Sequence, residues 1–158
     1  MCFSGEKLNI NIVSIGQFKN SEYKPIFFNY ISKLPWEVKL TELKPYKHKN
    51  QQVRKEKDSD KLIEKVNENQ MIISLDKSGN TITSEEFTQL ITQQKQDNKN
   101  ISFLIGGADG ISASCLKKSN IIISFGKMTW PHLLARLLLA EQLYRASSII
   151  SNHPYHRN

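Results

Sequence analysis

A chain of 158 residues, 39% hydrophobic and 23% charged, has the length and composition of one ordinary globular domain over residues 1–158, able to bury a core without staples. No stretch approaches the roughly 20 apolar residues of a membrane span, MCFSGEKLNINIV is no signal peptide, and Cys2 and Cys115 lack metal or redox spacing, so a soluble protein of the reducing cytoplasm is expected. Lys and Arg number 22 against 15 Asp and Glu, a formal charge of +7 that points to a polyanion, nucleic acid first, with a merely solvated basic surface as the alternative.

LNINIVSI, residues 8–15, alternates Leu8, Ile10 and Ile12 with Asn9 and Asn11 and predicts a β-strand, punctuated by Gly16. Tyr23, Ile26, Phe27, Tyr30, Ile31 and Leu34 recur at helical spacing, with Ser21 as N-cap and Pro35 as stop. WEVKLTEL, residues 36–43, alternates as a second strand. Residues 44–70 turn polar and read as a loop followed by a surface helix anchored by Val53, Leu62, Ile63 and Val66. MIISL, residues 71–75, is a buried-type strand closed by the turn DKSGN, and TSEEFTQLITQQ predicts a helix capped by Thr83 or Ser84.

ISFLI runs into GGADGIS, and IIISF runs into GKMTWPH. LLARLLLAEQLYRASSII is the strongest helix, with Glu141 and Arg145 as an i,i+4 pair. Its leucines, Leu133, Leu134, Leu137, Leu138, Leu139 and Leu143, exceed what one sheet face needs, so part of it is expected to face a partner subunit. Strands alternating with helices predict an α/β fold with a mostly parallel sheet and ligands beyond the C-terminal strand ends.

Three apolar strands end in loops suited to a ligand: Leu75 with Asp76, then Gly106 and Gly107, then the stretch from Gly126 to Pro131. The double glycine lets main chain approach a ligand, although GGADG lacks a P-loop lysine and dinucleotide spacing and, taken alone, reads as a tight turn before it reads as a nucleotide-binding loop. His153 and His156 lack the companions that a metal needs. Tyr155, His156 and Arg157 interleave aromatic and cationic groups as base stacking and phosphate pairing require, or else form a helix end with dipole-compatible cations. His132 reads as a hydrogen-bonded structural residue and His48 as inert. Lys44, Lys47, Lys49, Arg54, Lys55 and Lys57 form a basic cluster, which Glu56, Asp58 and Asp60 turn into a solvated face.

FLIGGADGIS, ISFGKMTWPHLLARLLLAEQLYRA and the terminal HPYHRN, with INIVSIGQFK at the start, resemble the ribosomal large-subunit methyltransferase H family of the knotted SPOUT class. MCFSGEK looks like an extra N-terminal lead, and Gly126, Lys127 and Trp130 are variant choices within their loop. The resemblance implies a C-terminal trefoil knot, a homodimer, and S-adenosylmethionine-dependent methylation of N3 of a pseudouridine in helix 69 of 23S rRNA on assembled ribosomes, without metal or membrane. It implies cofactor contacts from Leu75, Gly107, Gly126, Lys127, Met128, Thr129, Trp130 and Pro131. The uracil-type N3 must lose a proton, which makes His156 the candidate base, with Tyr155 stacking and Arg157 on phosphate. The rivals are a non-catalytic RNA- or ribosome-binding module on the same fold and, more weakly, a nucleotide hydrolase.

Overall fold

The computed structural model describes residues 7–157, so Cys2 and all of the N-terminal lead except Lys7 lie outside the described residues. Five strands and five helices alternate: β1 (Asn9–Ile15), α1 (Tyr23–Ser32), β2 (Glu37–Leu43), α2 (Gln51–Glu64), β3 (Met71–Thr81), α3 (Ser84–Gln96), β4 (Ile101–Ile105), α4 (Ala113–Lys118), β5 (Ile121–Ser124) and α5 (His132–Ile150). The strands form one sheet in the order β2-β1-β4-β3-β5, and every neighbouring pair is parallel. All strand C-termini therefore meet on one edge.

The two-residue period of the strands sorts the core. Ile10 and Ile12 of β1, Ile73 of β3, and Ile101, Phe103 and Ile105 of β4 face one side, where they pack with Phe27 of α1, Phe87 and Ile91 of α3, and Leu139 and Leu143 of α5. Val13, Ile15 and Leu104 face the other, against Leu62 of α2 and Cys115 of α4. Burial raises the Cys115 thiol to about 11, which makes it an inert core residue.

Local chemistry accounts for the boundaries, with three departures from the sequence reading. Ser21 is not the N-cap of α1; Glu22 occupies that place, and the Ser21 hydroxyl instead accepts from Tyr23 N–H at 3.2 Å. DKSGN is not a strand end, because β3 pairs with β5 on both sides of it: Leu75 and Asn80 both face Ile123, and residues 76–79 loop out as a bulge. Gly79 is required there, since a Cβ would stand 2.6 Å from the Ile122 backbone. The short α4, capped by Ser112 on Cys115 N–H, was not expected, its six residues being too few for a periodic signal. The expected cap of α3 forms, as a Thr83–Glu86 capping box.

The last helix lies between α1 and α3 and carries a charge into the core. Arg136 is 0% exposed. Its guanidinium bonds Glu42 Oε1 of β2 at 2.8 Å and the carbonyls of Ile15 and Gly16 at 3.1 and 2.8 Å, while Phe18 packs beneath it with the guanidinium carbon 4.8 Å from the ring centroid. Nε alone has no partner. Glu42 Oε1 also accepts from Phe18 N–H at 2.8 Å, so one carboxylate serves both groups. Glu42→Ala leaves a buried cation without its counter-charge and is expected to cost about 3–5 kcal/mol in urea unfolding. A loss below about 1 kcal/mol, the range of a surface pair, would contradict this role.

Candidate active site

The bulge in β3, the loops after β4 and β5 and the first turns of α5 enclose a cleft of about 720 Å³, within the range of small-molecule sites. Every cofactor residue implied by the resemblance lines it except Lys127: Leu75, Gly107, Gly126, Met128, Thr129, Trp130 and Pro131. Ile105, Ile111, Ile123 and Phe125 add an apolar lining, and Asp76, Lys77 and Lys55 add charge. His132 and Ala135 line it too, as does Gln51 of α2, contributions that sequence reading missed. The signal for His132 and Ala135 was their position one and four residues after Pro131. For α2 there was none, because its approach is set by tertiary packing.

Each loop is shaped by its own sequence. Gly107 and Gly110 form an antiparallel bridge, with Gly110 N–H donating to Gly107 O at 3.1 Å. A Cβ on Gly106 would meet the Gly110 carbonyl carbon at 2.8 Å, and one on Gly107 would meet Ile15 Cγ2 at 2.9 Å. The side chain at Gly107 is thus excluded by the core beneath the loop, not only by a ligand above it. Gly126 has φ +111° with open space before its absent Cβ, so its backbone conformation is what demands glycine. Ser124 Oγ holds that turn by accepting from Gly126 N–H at 3.1 Å and donating to its carbonyl at 2.8 Å. Trp130 Nε1–H returns to Phe125 O at 3.3 Å and closes the loop, leaving Met128 74% exposed at the rim.

Two further contacts tie the cleft to its surroundings. Arg54 of α2 grips Asp109 of the glycine loop bidentately, at 2.8 and 3.1 Å, and this hydrogen-bonded pair holds the carboxyl below its ordinary range. His132 stacks over Gly16, where any Cβ would come within 2.9 Å of its Nε2, and no metal-type group of three His, Cys, Asp or Glu exists among the described residues.

The C-terminal tail lies elsewhere. Asn152 takes a left-handed φ of 55°, and the N–H groups of Asn152 and His153 return to Ile149 O and Ser148 O at 3.2 and 2.8 Å. This Schellman turn reverses the chain and lays the tail back along α5. Tyr155 donates to Glu141 Oε1 at 3.0 Å, packs edge-on against Tyr144 and lies under the Arg145 guanidinium. The expected Glu141–Arg145 pair forms at 2.5 Å. Burial, then the Tyr30 and Glu141 contacts, raise the Tyr155 phenol above its ordinary range, so it stays protonated. Arg145 can only donate, so His156 Nδ1 accepts from it at 3.2 Å and Nε2–H donates to Glu85 at 2.8 Å. Both ring nitrogens are engaged, and a proton acceptor at His156 requires one of these contacts to open. Arg157 is exposed. None of the three lines the cleft of its own chain.

Burial, then the nearby Arg136 charge, lower the His132 pKa below its ordinary 6.5. The unfolded chain takes up that proton first, so the full contribution is present above pH 6.5 and is lost as pH falls toward the folded value. His132→Asn is expected to flatten the rise of urea midpoint with pH across the window just below 6.5. Parallel profiles for both proteins would count against a desolvated imidazole.

Comparison with known proteins fits this architecture. The family model described as "Predicted SPOUT methyltransferase" matches residues 8–156. A protein from Rhodospirillum centenum named ribosomal RNA large subunit methyltransferase H is 35% identical over 147 residues, covering 92% of this chain and 97% of that one. One of the same name from Coxiella burnetii is 38% identical over 155 residues, covering 95% and 100%. Among solved structures, a probable methylase family protein from Haemophilus influenzae Rd KW20 superposes with a TM-score of 0.55 at 10% identity, over 96% of this chain and 70% of that one, a likeness of fold alone. The chain belongs to the SPOUT methyltransferase family and, within it, groups with the ribosomal RNA large subunit methyltransferases H.

Proposed function

We propose that this protein uses S-adenosylmethionine to methylate N3 of a pseudouridine in helix 69 of 23S rRNA, on assembled ribosomes in the cytoplasm, as a homodimer whose chains each carry a C-terminal trefoil knot. The observation that carries this reading is the convergence of three separate segments, the bulge in β3 and the loops after β4 and β5, all but one of whose family-implied residues line one cleft. The lining fits the cofactor. Leu75, Ile105, Ile111 and Ile123 offer apolar walls for a purine and exclude water, and the glycines can present only main chain to a ligand. Gly110 and Gly126 face open space where a Cβ would intrude. When bound, S-adenosylmethionine supplies an electrophilic methyl group whose carbon–sulfur bond breaks as the nucleophilic nitrogen attacks. The protein's task is to hold that nitrogen in line and accept its proton, work done largely by positioning.

The tail supplies the remaining groups from the other subunit. Within one chain Tyr155 and His156 dock on Glu141 and Arg145, roughly 9–15 Å along the α5 axis beyond Ala135. A second subunit brings another tail to the open cleft, with Arg157 on phosphate, Tyr155 beside the base and His156 as proton acceptor once its contacts open. Leu134 and Leu138 support a dimer contact, being half-buried yet outside both core clusters, and α1 beside them exposes Tyr23, Ile26 and Phe28.

Calorimetry with S-adenosylmethionine, followed by incubation with unmodified ribosomes and mass-spectrometric mapping, tests the reading; binding with one new methyl group on the helix 69 pseudouridine is expected. No cofactor binding would leave a non-catalytic ribosome-binding module. A chain ending at Asn152 is expected to bind cofactor normally and methylate nothing, at a stability cost of about 1–3 kcal/mol for the lost hydrogen bonds of Tyr155 and His156. Normal turnover by that truncated chain would refute any role for the tail. Arg157→Ala alone should weaken ribosome binding and lower its salt dependence by just under one unit of log–log slope.

A further inference from the structure

The loop after β2, residues 44–50, and the first turns of α2 carry Lys44, Lys47, Lys49, Lys55 and Lys57, and in the sequence Glu56, Asp58 and Asp60 partly offset them. The fold draws two of those three acids away, while Asp60 stays exposed on α2. Asp58 turns inward, 6% exposed, to accept from Tyr46 N–H at 2.7 Å and to face Lys61 at 3.6 Å. Glu56 accepts from Gln52 at 2.9 Å and from Ser114 of α4 at 3.2 Å. Among the described residues, none of those five lysines has an ion-pair partner, and all but the half-buried Lys55 are exposed.

The loop is held in shape. Arg54 donates to the carbonyls of His48 and Lys49 at 2.8 and 3.1 Å, Lys61 to Lys44 O at 2.8 Å, and Asn50 N–H to His48 Nδ1 at 3.0 Å. The rings of Tyr46 and His48 stack, with centroids 6.4 Å apart and planes 19° apart, and Tyr46 is still 36% exposed. The loop leaves the C-terminal end of β2, on the same sheet edge as the cleft, and the adjoining Gln51 and Lys55 line that cleft. The same Arg54 that fixes this loop fixes Asp109 of the glycine loop.

We propose that residues 44–50, with Lys55, form a docking platform for single-stranded RNA beside the cleft, the lysines on phosphates and one unstacked base on the Tyr46–His48 pair. Free point charges interleaved with exposed flat rings match the requirements of single-stranded nucleic acid. The loop KPYKHKN offers no aliphatic side chain for a membrane surface or an apolar peptide. The proposal rests on the reading of the cleft as an RNA-methylating site and adds to it the path by which the flanking strand is held.

Fluorescence anisotropy with a short fluorescein-labelled single-stranded RNA, over a salt series, tests it. The triple variant Lys44→Ala, Lys47→Ala, Lys49→Ala should bind at least about tenfold more weakly, and its log–log salt slope should fall by about 2, from three phosphates at roughly 0.7 each. Tyr46→Ala should weaken binding about fivefold or more with the slope unchanged, as lost stacking does. Lys47→Glu, a single exposed substitution, should reproduce much of the loss. Cofactor affinity should hold in all of them, since none of these residues lines the cleft. Wild-type affinity and slope in the triple variant overturn the platform. Failure of the wild-type protein to methylate ribosomes would count against the enzymatic reading instead, because anisotropy requires no turnover.

Discussion

The buried guanidinium of Arg136 is the constraint on which the cleft depends. Removing a cation from water is costly, and it is tolerable here only where Glu42 and the carbonyls of Ile15 and Gly16 converge. That requirement fixes one placement of α5 against the ends of β1 and β2. The first turn of the same helix carries His132 and Ala135 into the cleft wall, so the ion pair in the core sets the position of the site. Gly16 completes the arrangement, with φ +97° and no room for a side chain beneath His132. The pair contributes a unique geometry more than net stability, as buried ion pairs can.

Much of this was legible in the sequence. The alternation at the start of LNINIVSI and in WEVKLTEL, the apolar runs of β3, β4 and β5, and the leucines of α5 each show one period, so local pattern and element type agree. Agreement failed where a residue's role is set by distant chain. Arg136 in a leucine-rich helix resembles a surface charge until β2 supplies its carboxylate from 94 residues away. DKSGN reads as a turn because it is one locally, and only the renewed pairing of Asn80 with Ile123 makes it a bulge inside a strand. The segments proposed to hold the cofactor were recognisable through family motifs and the rule that ligands gather at strand C-termini. The wall contributed by α2 carries no motif at all.

Charge shows the same limit. Counting along the chain sets three acids against the lysines after β2, whereas folding turns Asp58 inward and ties Glu56 to Gln52 and Ser114, leaving Asp60 and most of the lysines facing solvent. The net +7 is thus concentrated in part on the edge that holds the cleft. The tail shows the converse: residues that look free are docked by the Schellman turn onto Glu141, Arg145 and Glu85. A docked tail is pre-ordered, which would lower the entropic cost of presenting it to the proposed second subunit.

The central claim is that one chain's cleft works with another chain's tail, and complementation measures it directly. A chain ending at Asn152 keeps its cleft and loses its tail, whereas full-length Ala108→Trp keeps its tail and fills a cleft that Ala108 lines. Neither homodimer should methylate ribosomes. After mixing and subunit exchange, half of the dimers are mixed and each has one complete site, so about a quarter of wild-type turnover is expected if the tail acts across the interface. Mixed dimers that form and stay inactive would contradict the account, because a tail serving its own cleft leaves no complete site in the mixture.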